Sequence, residues 1–146
     1  MRVTSTVSIR RPVGDVFARV SDLNTYAQWA ADVRHLAPDS EDIGAFVVHR
    51  QINGRRMEVR FKLVELVPDE RIVLQGHSSG VPWRCTISFL ASEEGTIVAE
   101  AIEMRLTGVA RLGGPLFARV ITRSVRKDLT GLQRWLEGVP ATALAT

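Results

Sequence analysis

The chain has 146 residues, 45% hydrophobic and 24% charged, with 11 Gly, 6 Pro and a net charge of +3. That composition suits one soluble globular domain with room for a single core and excludes a disordered or fibrous chain. No apolar run approaches the roughly 20 residues that span a bilayer, and Met1-Arg2-Val3 leads straight into strand-like sequence with no signal peptide, so a cytoplasmic protein is expected.

Residues 3 to 9 alternate, with Val3, Val7 and Ile9 on one side and Thr4, Thr6 and Ser8 on the other, the pattern of a half-buried strand. Arg11-Pro12 ends it. Val13, Val16, Phe17 and Val20 follow helical spacing, and Asp22 opens a second short helix carrying Tyr26, Trp29, Ala30 and Val33. Helices this short are not stable alone and must brace something larger. The segment around His35 follows neither period.

From about Phe46 the pattern turns to period two and keeps it for about sixty residues, interrupted by turn signals at Asn53-Gly54, Pro68-Asp69, Ser79-Gly80 and Glu94-Gly95. Read as two-residue loops, these fix which residues face each other. Val48 then opposes Val59 and Phe46 opposes Phe61; Leu63 opposes Leu74; Leu74 opposes Cys85 and Gly76 opposes Trp83; Ile87 opposes Ile102 and Cys85 opposes Met104. All four hairpins put their apolar sets on one side, which predicts a single antiparallel meander with one apolar face. The other face carries Glu58, Arg60, Lys62, Arg71, Gln75, His77, Arg84, Thr86 and Ser88 and is wet.

Gly113 to Glu137 reads as one long helix, roughly 35 Å at 1.5 Å per residue. Pro115 suits its first turn. Phe117, Val120, Ile121, Val125, Leu129, Leu132, Trp135 and Leu136 recur three and four apart and form one broad apolar face. Ser124 and Asp128 intrude on that face, where a pure packing surface would carry carbon. Arg119, Arg123, Arg126, Lys127 and Arg134 point elsewhere, as a solvated face does.

A strand, two short helices, a long meander and a terminal helix laid across it make the order of a helix-grip fold. The sequence resembles the START-like or SRPBCC superfamily, particularly its polyketide cyclase/dehydrase and lipid-transport branch. The resemblance is carried by the Pro12, Val16, Phe17 helix, the Asp22, Tyr26, Trp29, Val33 run and the Leu66-Val67-Pro68-Asp69-Glu70-Arg71 turn. Gly95-Thr96 and the Leu129, Leu132, Leu136 helix end add to it. It implies an α+β fold in which a curved antiparallel sheet of about six or seven strands wraps around the C-terminal helix and leaves a hydrophobic cavity. A single domain over 1–139 is expected, with 140–146 as a frayed tail.

On that fold the ligand-facing set comprises Phe46, Met57, Val59, Phe61, Leu74, Gly76, Trp83, Cys85, Ile87, Phe89, Ile102 and Met104 from the sheet, with Trp29 from the short helix. Phe117, Ile121, Ser124 and Val125 from the last helix close it. Gly76 opposite Trp83 either lets the indole lie flat or leaves room for a ligand. The polar exceptions facing inward are Arg50 and Glu100, with Ser124 and Asp128 on the helix. A buried carboxylate must be paired, protonated or wet, so Arg50 with Glu100 or Asp128 is a natural match. Glu100 and Asp128 are the candidate acid/base residues.

The three histidines do not converge, Cys85 is alone, and no HExxH, Walker loop, GxGxxG or GxSxG occurs, so no metal or cofactor is expected. The basic helix face lacks interleaved aromatics, which argues against nucleic acid. The leading expectation is a carrier or sensor of a small hydrophobic molecule, acting as monomer or homodimer. Its rivals are a polyketide aromatase/cyclase using a cavity carboxylate, and exchange of cargo at an anionic membrane through the basic face of the last helix.

Overall fold

The computed structural model describes residues 1–30, 32–52, 54–78 and 80–138. Asn53 and Ser79 of the expected turns and the expected tail over 140–146 lie outside the described residues. Among the described residues, seven strands form one curved antiparallel sheet: β1 (Arg2–Ile9), β2 (Val33–Pro38), β3 (Ala45–Ile52), β4 (Arg55–Val67), β5 (Arg71–Ser78), β6 (Val81–Ser92) and β7 (Gly95–Met104). Their order is β1-β7-β6-β5-β4-β3-β2. Helices α1 (Val13–Val20) and α2 (Tyr26–Trp29) follow β1, and α3 (Gly114–Gly138) follows β7. This is the α+β helix-grip arrangement.

Two of the hairpin registers hold as expected, with Val48↔Val59 and Phe46↔Phe61 across β3 and β4 and Gly76↔Trp83 across β5 and β6. Leu63↔Leu74 also holds, but for a different reason. The β4–β5 connection has three residues, Pro68 to Glu70, with Asp69 at φ 61, and pairing closes at Val67↔Arg71. A bulge between Leu63 and Glu65 absorbs the extra residue and restores the register beyond it. The β6–β7 expectation is wrong by two residues: Ile87 faces Glu100, Cys85 faces Ile102 and Trp83 faces Met104. The loop is Glu93-Glu94, and Gly95 already belongs to β7, paired with Ser92. Gly95 serves close approach rather than a turn. A Cβ there would run into the Ile9 carbonyl and sit 2.7 Å from the Arg11 nitrogen. Because the slip is even, the apolar faces are unchanged.

The second helix is shorter than its spacing suggested. Asp22 accepts from the Asn24 N–H at 3.0 Å and caps a 3-10 turn, Leu23–Thr25, and α2 that follows is a single turn. Val33 opens β2 instead of closing a helix. This edge strand had no alternation to reveal it. His35 sits at φ 57, and the register to β3 shifts between Arg34 and Ala37. Its position beside β3 brings His35 and His49 edge to face at 6.1 Å, so two of the histidines do meet, at the sheet edge.

The core gathers where α1 and the C-terminal half of α3 cover β1 and β7. Ile9, Val16, Val98, Leu132 and Leu136 are fully enclosed there. Gln133 donates to the Ser8 carbonyl at 2.7 Å and Arg11 Nε to the Leu136 carbonyl at 3.1 Å, tying the end of α3 to β1. Thr96, also fully buried, donates to the Arg11 carbonyl at 2.7 Å. At Gly131 a Cβ would run into the Trp29 carbonyl, so α2 and α3 touch backbone to backbone. Nearer its N-terminus α3 is tied instead to β3, through Arg50 to Ser124 and Asp128.

Candidate ligand-binding site

Between the concave face of the sheet and the N-terminal half of α3 lies a cavity of about 620 Å³. Where α3 turns to the sheet with Leu129, Leu132 and Leu136 it is buried to within 3%. Where it presents Phe117, Ile121, Ser124, Val125 and Asp128 it lines the cavity. The helix therefore divides along its length into a packing half and a lining half. Across from it stand Met57, Val59, Phe61 and Leu74 from β4 and β5, Trp83, Cys85 and Ile87 from β6, and Glu100, Ile102 and Met104 from β7. Arg50 and Trp29 complete the set expected to face a ligand.

Three residues of that set do not line the cavity. Phe46 stacks against Phe61, its cross-strand partner, with ring centroids 5.8 Å apart, and supports the wall from the side. Phe89 packs edge-on against Phe17 at 5.2 Å, in the core beneath α1. Gly76 is covered: a Cβ there would run into the Arg60 carbonyl and lie 2.7 Å from Cζ2 of Trp83. The indole thus lies over the glycine, and the Gly76–Trp83 pair shapes the wall instead of leaving an opening.

The cavity is mostly apolar, and its ion pair sits in one hydrogen-bonded cluster. Arg50 Nη2 donates to both carboxylate oxygens of Asp128, at 2.9 and 2.8 Å, and to Ser124 Oγ at 3.3 Å, while Nη1 donates to Tyr26 Oη at 2.9 Å. The side chains of Arg50 and Asp128 are 13% and 4% exposed, so this is a buried pair joining β3 to α3. Burial works against the guanidinium's charge, but Tyr26 and Asp128 more than offset it and Arg50 stays charged. Burial pushes the Tyr26 phenol above its ordinary range, so it remains neutral.

Tyr26 joins the site although its sequence context reads as packing. Its place three positions before Trp29 on a short helix was the available signal; the two rings meet edge to face at 5.0 Å.

Glu100 lies apart from this pair and is 9% exposed. The Cys85 thiol donates to Glu100 Oε1 at 3.4 Å. Burial first and the charge of Asp128 second push the Glu100 carboxyl up to about 7, against the smaller lowering by Cys85 and Arg50. Burial and the neighbouring Glu100 hold the Cys85 thiol well above its usual range, so it is no nucleophile at neutral pH. A carboxyl that changes protonation near neutrality inside an apolar wall either donates or accepts a hydrogen bond, or moves a proton. Two further polar atoms on lining residues, Trp29 Nε1 and Ser78 Oγ, are buried without a hydrogen-bond partner among the described residues.

Among the described residues, no group of three or more His, Cys, Asp or Glu is placed to hold a metal. No described helix is long and apolar enough to cross a membrane.

Known proteins show the same architecture. A protein from Thermus thermophilus superposes with a TM-score of 0.80 at 18% identity, covering 94% of this chain and 98% of its own. A START superfamily protein from Mycobacterium smegmatis gives 0.77 at 14% identity, with 95% and 99% covered. The Zhui aromatase/cyclase from Streptomyces sp. R1128 gives 0.76 at 17% identity, with 97% of each chain covered. Identities this low establish the fold alone. No curated protein sequence matches the chain. The family model described as polyketide cyclase/dehydrase and lipid transport matches residues 1–137, and the chain belongs to that family.

Proposed function

We propose that the protein binds a small, largely apolar, uncharged molecule between its sheet and α3, as a carrier or sensor. The observation that carries this reading is the cavity of about 620 Å³ in which the buried Arg50 cation is already held by Asp128. That volume lies within the roughly 300–1,000 Å³ of small-molecule sites. Arg50 is bound to Asp128 through both carboxylate oxygens, so an anionic ligand would have to displace Asp128 to reach it. A neutral molecule faces no such competition. Its binding free energy would come from apolar surface removed from water, at about 25 cal/mol per Å². Glu100, Trp29 Nε1 and Ser78 Oγ would set its orientation.

Glu100 favours a second reading. A buried carboxyl near neutrality in a mostly apolar wall suits proton transfer, the requirement for folding and dehydrating a poly-β-keto chain, and one structural relative is an aromatase/cyclase. Here Glu100 would take a proton from the acidic carbon between two carbonyls and return it to oxygen. Replacing Glu100 by Gln separates the readings: a cyclase loses turnover and keeps ligand affinity.

Native mass spectrometry of the protein as purified from cells tests the binding reading. Ile121, 7% exposed on the lining half of α3, is replaced by Trp to fill the cavity. The expected result is a small-molecule adduct on the wild type that Ile121→Trp lacks. Adducts of equal mass and occupancy on both would refute the reading.

A further inference from the structure

An antiparallel meander sends every second connection to the same end of the sheet, and here the two ends carry opposite charge. The connections 39–44, 68–70 and 93–94 lie at one end. They contain Asp39, Glu41, Asp42, Asp69, Glu70, Glu93 and Glu94 and no Lys or Arg. Asp39 and Asp42 are paired with Arg60 and Lys62, at 2.8 and 2.9 Å. Asp69, Glu70, Glu93 and Glu94 enter no ion pair among the described residues. The basic exceptions at this end are Arg10, Arg11 and Arg71; Arg11 is bonded to the Leu136 carbonyl and Arg71 is paired with Glu65 at 2.6 Å.

At the opposite end lie the start of β4 and the passage from β7 to α3. Residues 54–57 and 105–113 contain Arg55, Arg56, Arg105 and Arg111 and no acid. All four arginines are exposed, and none enters an ion pair among the described residues. Glu103, Asp32 and Glu58 stand nearby but are held by Arg2 at 3.4 Å, Lys127 at 3.6 Å and Arg60 at 3.0 Å. Leu112 in the same passage and Leu116 in the first turn of α3 are 86% and 70% exposed, and Leu116 also lines the cavity. One end thus combines uncompensated positive charge, two leucines left in water, and the rim of the apolar cavity.

We infer that this end docks on an anionic lipid bilayer, with Leu112 and Leu116 entering the interfacial layer and Arg55, Arg56, Arg105 and Arg111 holding lipid phosphates. The acidic loops at the far end turn the molecule so that the cavity rim faces the membrane. The outer face of α3 is a weaker site, because Lys127 is drawn to Asp32 at 3.6 Å and the apolar lining of its groove is Ala118 and the buried Trp29, with no exposed leucine. An acidic protein would also be held by the arginines, but it gives no role to leucines standing free at the cavity rim. The inference draws on the proposed cavity function only for its purpose, since docking itself needs no cargo.

The test is co-sedimentation of the full chain with cargo-free vesicles of phosphatidylcholine, alone or mixed with phosphatidylglycerol, at low and high salt. Binding is expected only with phosphatidylglycerol, and it weakens as salt rises. Arg105→Ala and Arg111→Ala each weaken it about fivefold, the worth of one basic residue near an anionic surface. Leu112→Gln weakens it by on the order of tenfold at an unchanged melting temperature. Binding that ignores phosphatidylglycerol or salt, or a Leu112→Gln protein that binds as well as wild type, overturns the inference. So does soluble polyglutamate that binds both proteins equally while vesicles bind neither, which would point to an acidic protein partner. Vesicle binding and cavity occupancy are separate readouts, so either reading can fail without the other.

Discussion

Replacing Glu100 by Gln keeps the shape of the side chain and removes its titration. In the folded protein the carboxyl holds its proton up to about 7, whereas in the unfolded chain it releases it near 4.5. Between those values the folded state binds one proton more, so stability is full below about 4.5, falls as pH rises through the interval, and stays low above 7. At about 1.4 kcal/mol per pH unit, the interval from 4.5 to about 7 amounts to about 3 kcal/mol. For a chain of this length that is about 6–12 °C in melting temperature. Melting curves of wild type and Glu100→Gln across pH 4 to 9 isolate the effect, because every other titrating group is common to both. The variant should gain on the wild type as pH rises from 4.5 to 7 and hold the advantage above. Two curves that run parallel would mean that Glu100 ionises as an ordinary surface carboxylate, and the acid/base reading would go with it.

Asp128→Ala strands the buried Arg50 guanidinium and should cost about 3–5 kcal/mol in urea unfolding, whereas the double variant Arg50→Met/Asp128→Leu should recover most of that loss. Additive single and double losses would contradict a coupled buried pair. Gly76→Ala forces a methyl against the Arg60 carbonyl and the Trp83 ring and should cost about 1–3 kcal/mol, with a shift in tryptophan emission; an unchanged midpoint would mean that the indole does not lie over the glycine.

The fold was legible because side-chain parity survives errors in loop length. Reading the β6–β7 loop as Glu94-Gly95, one residue late, slips β7 by two positions and still keeps Ile102 and Glu100 on the inner face. The bulge between Leu63 and Glu65 hid a three-residue turn in the same way. β2 was invisible because a strand with a register shift and His35 at φ 57 has no period to detect. At the site, Arg50, Glu100 and Asp128 stood out as polar residues on apolar faces, but their partners depend on distances that spacing does not contain. Arg50 chose Asp128, 78 residues away, and Glu100 was left to Cys85 across the β6–β7 hairpin. Tyr26 escaped notice because its ring fits a packing role and only its hydroxyl reaches Arg50. The division of α3 into lining and packing halves follows from where β1 and α2 contact it, which a helical wheel averages away.

Titration with N-phenyl-1-naphthylamine, a neutral apolar fluorophore, tests most directly whether the space between the sheet and the first half of α3 receives a small uncharged molecule. Wild type should bind one fluorophore per chain saturably, with emission shifted to the blue, and Ile121→Trp should bind none while melting at a similar temperature. Equal binding by both proteins, or none by the wild type, would contradict a ligand cavity at this site.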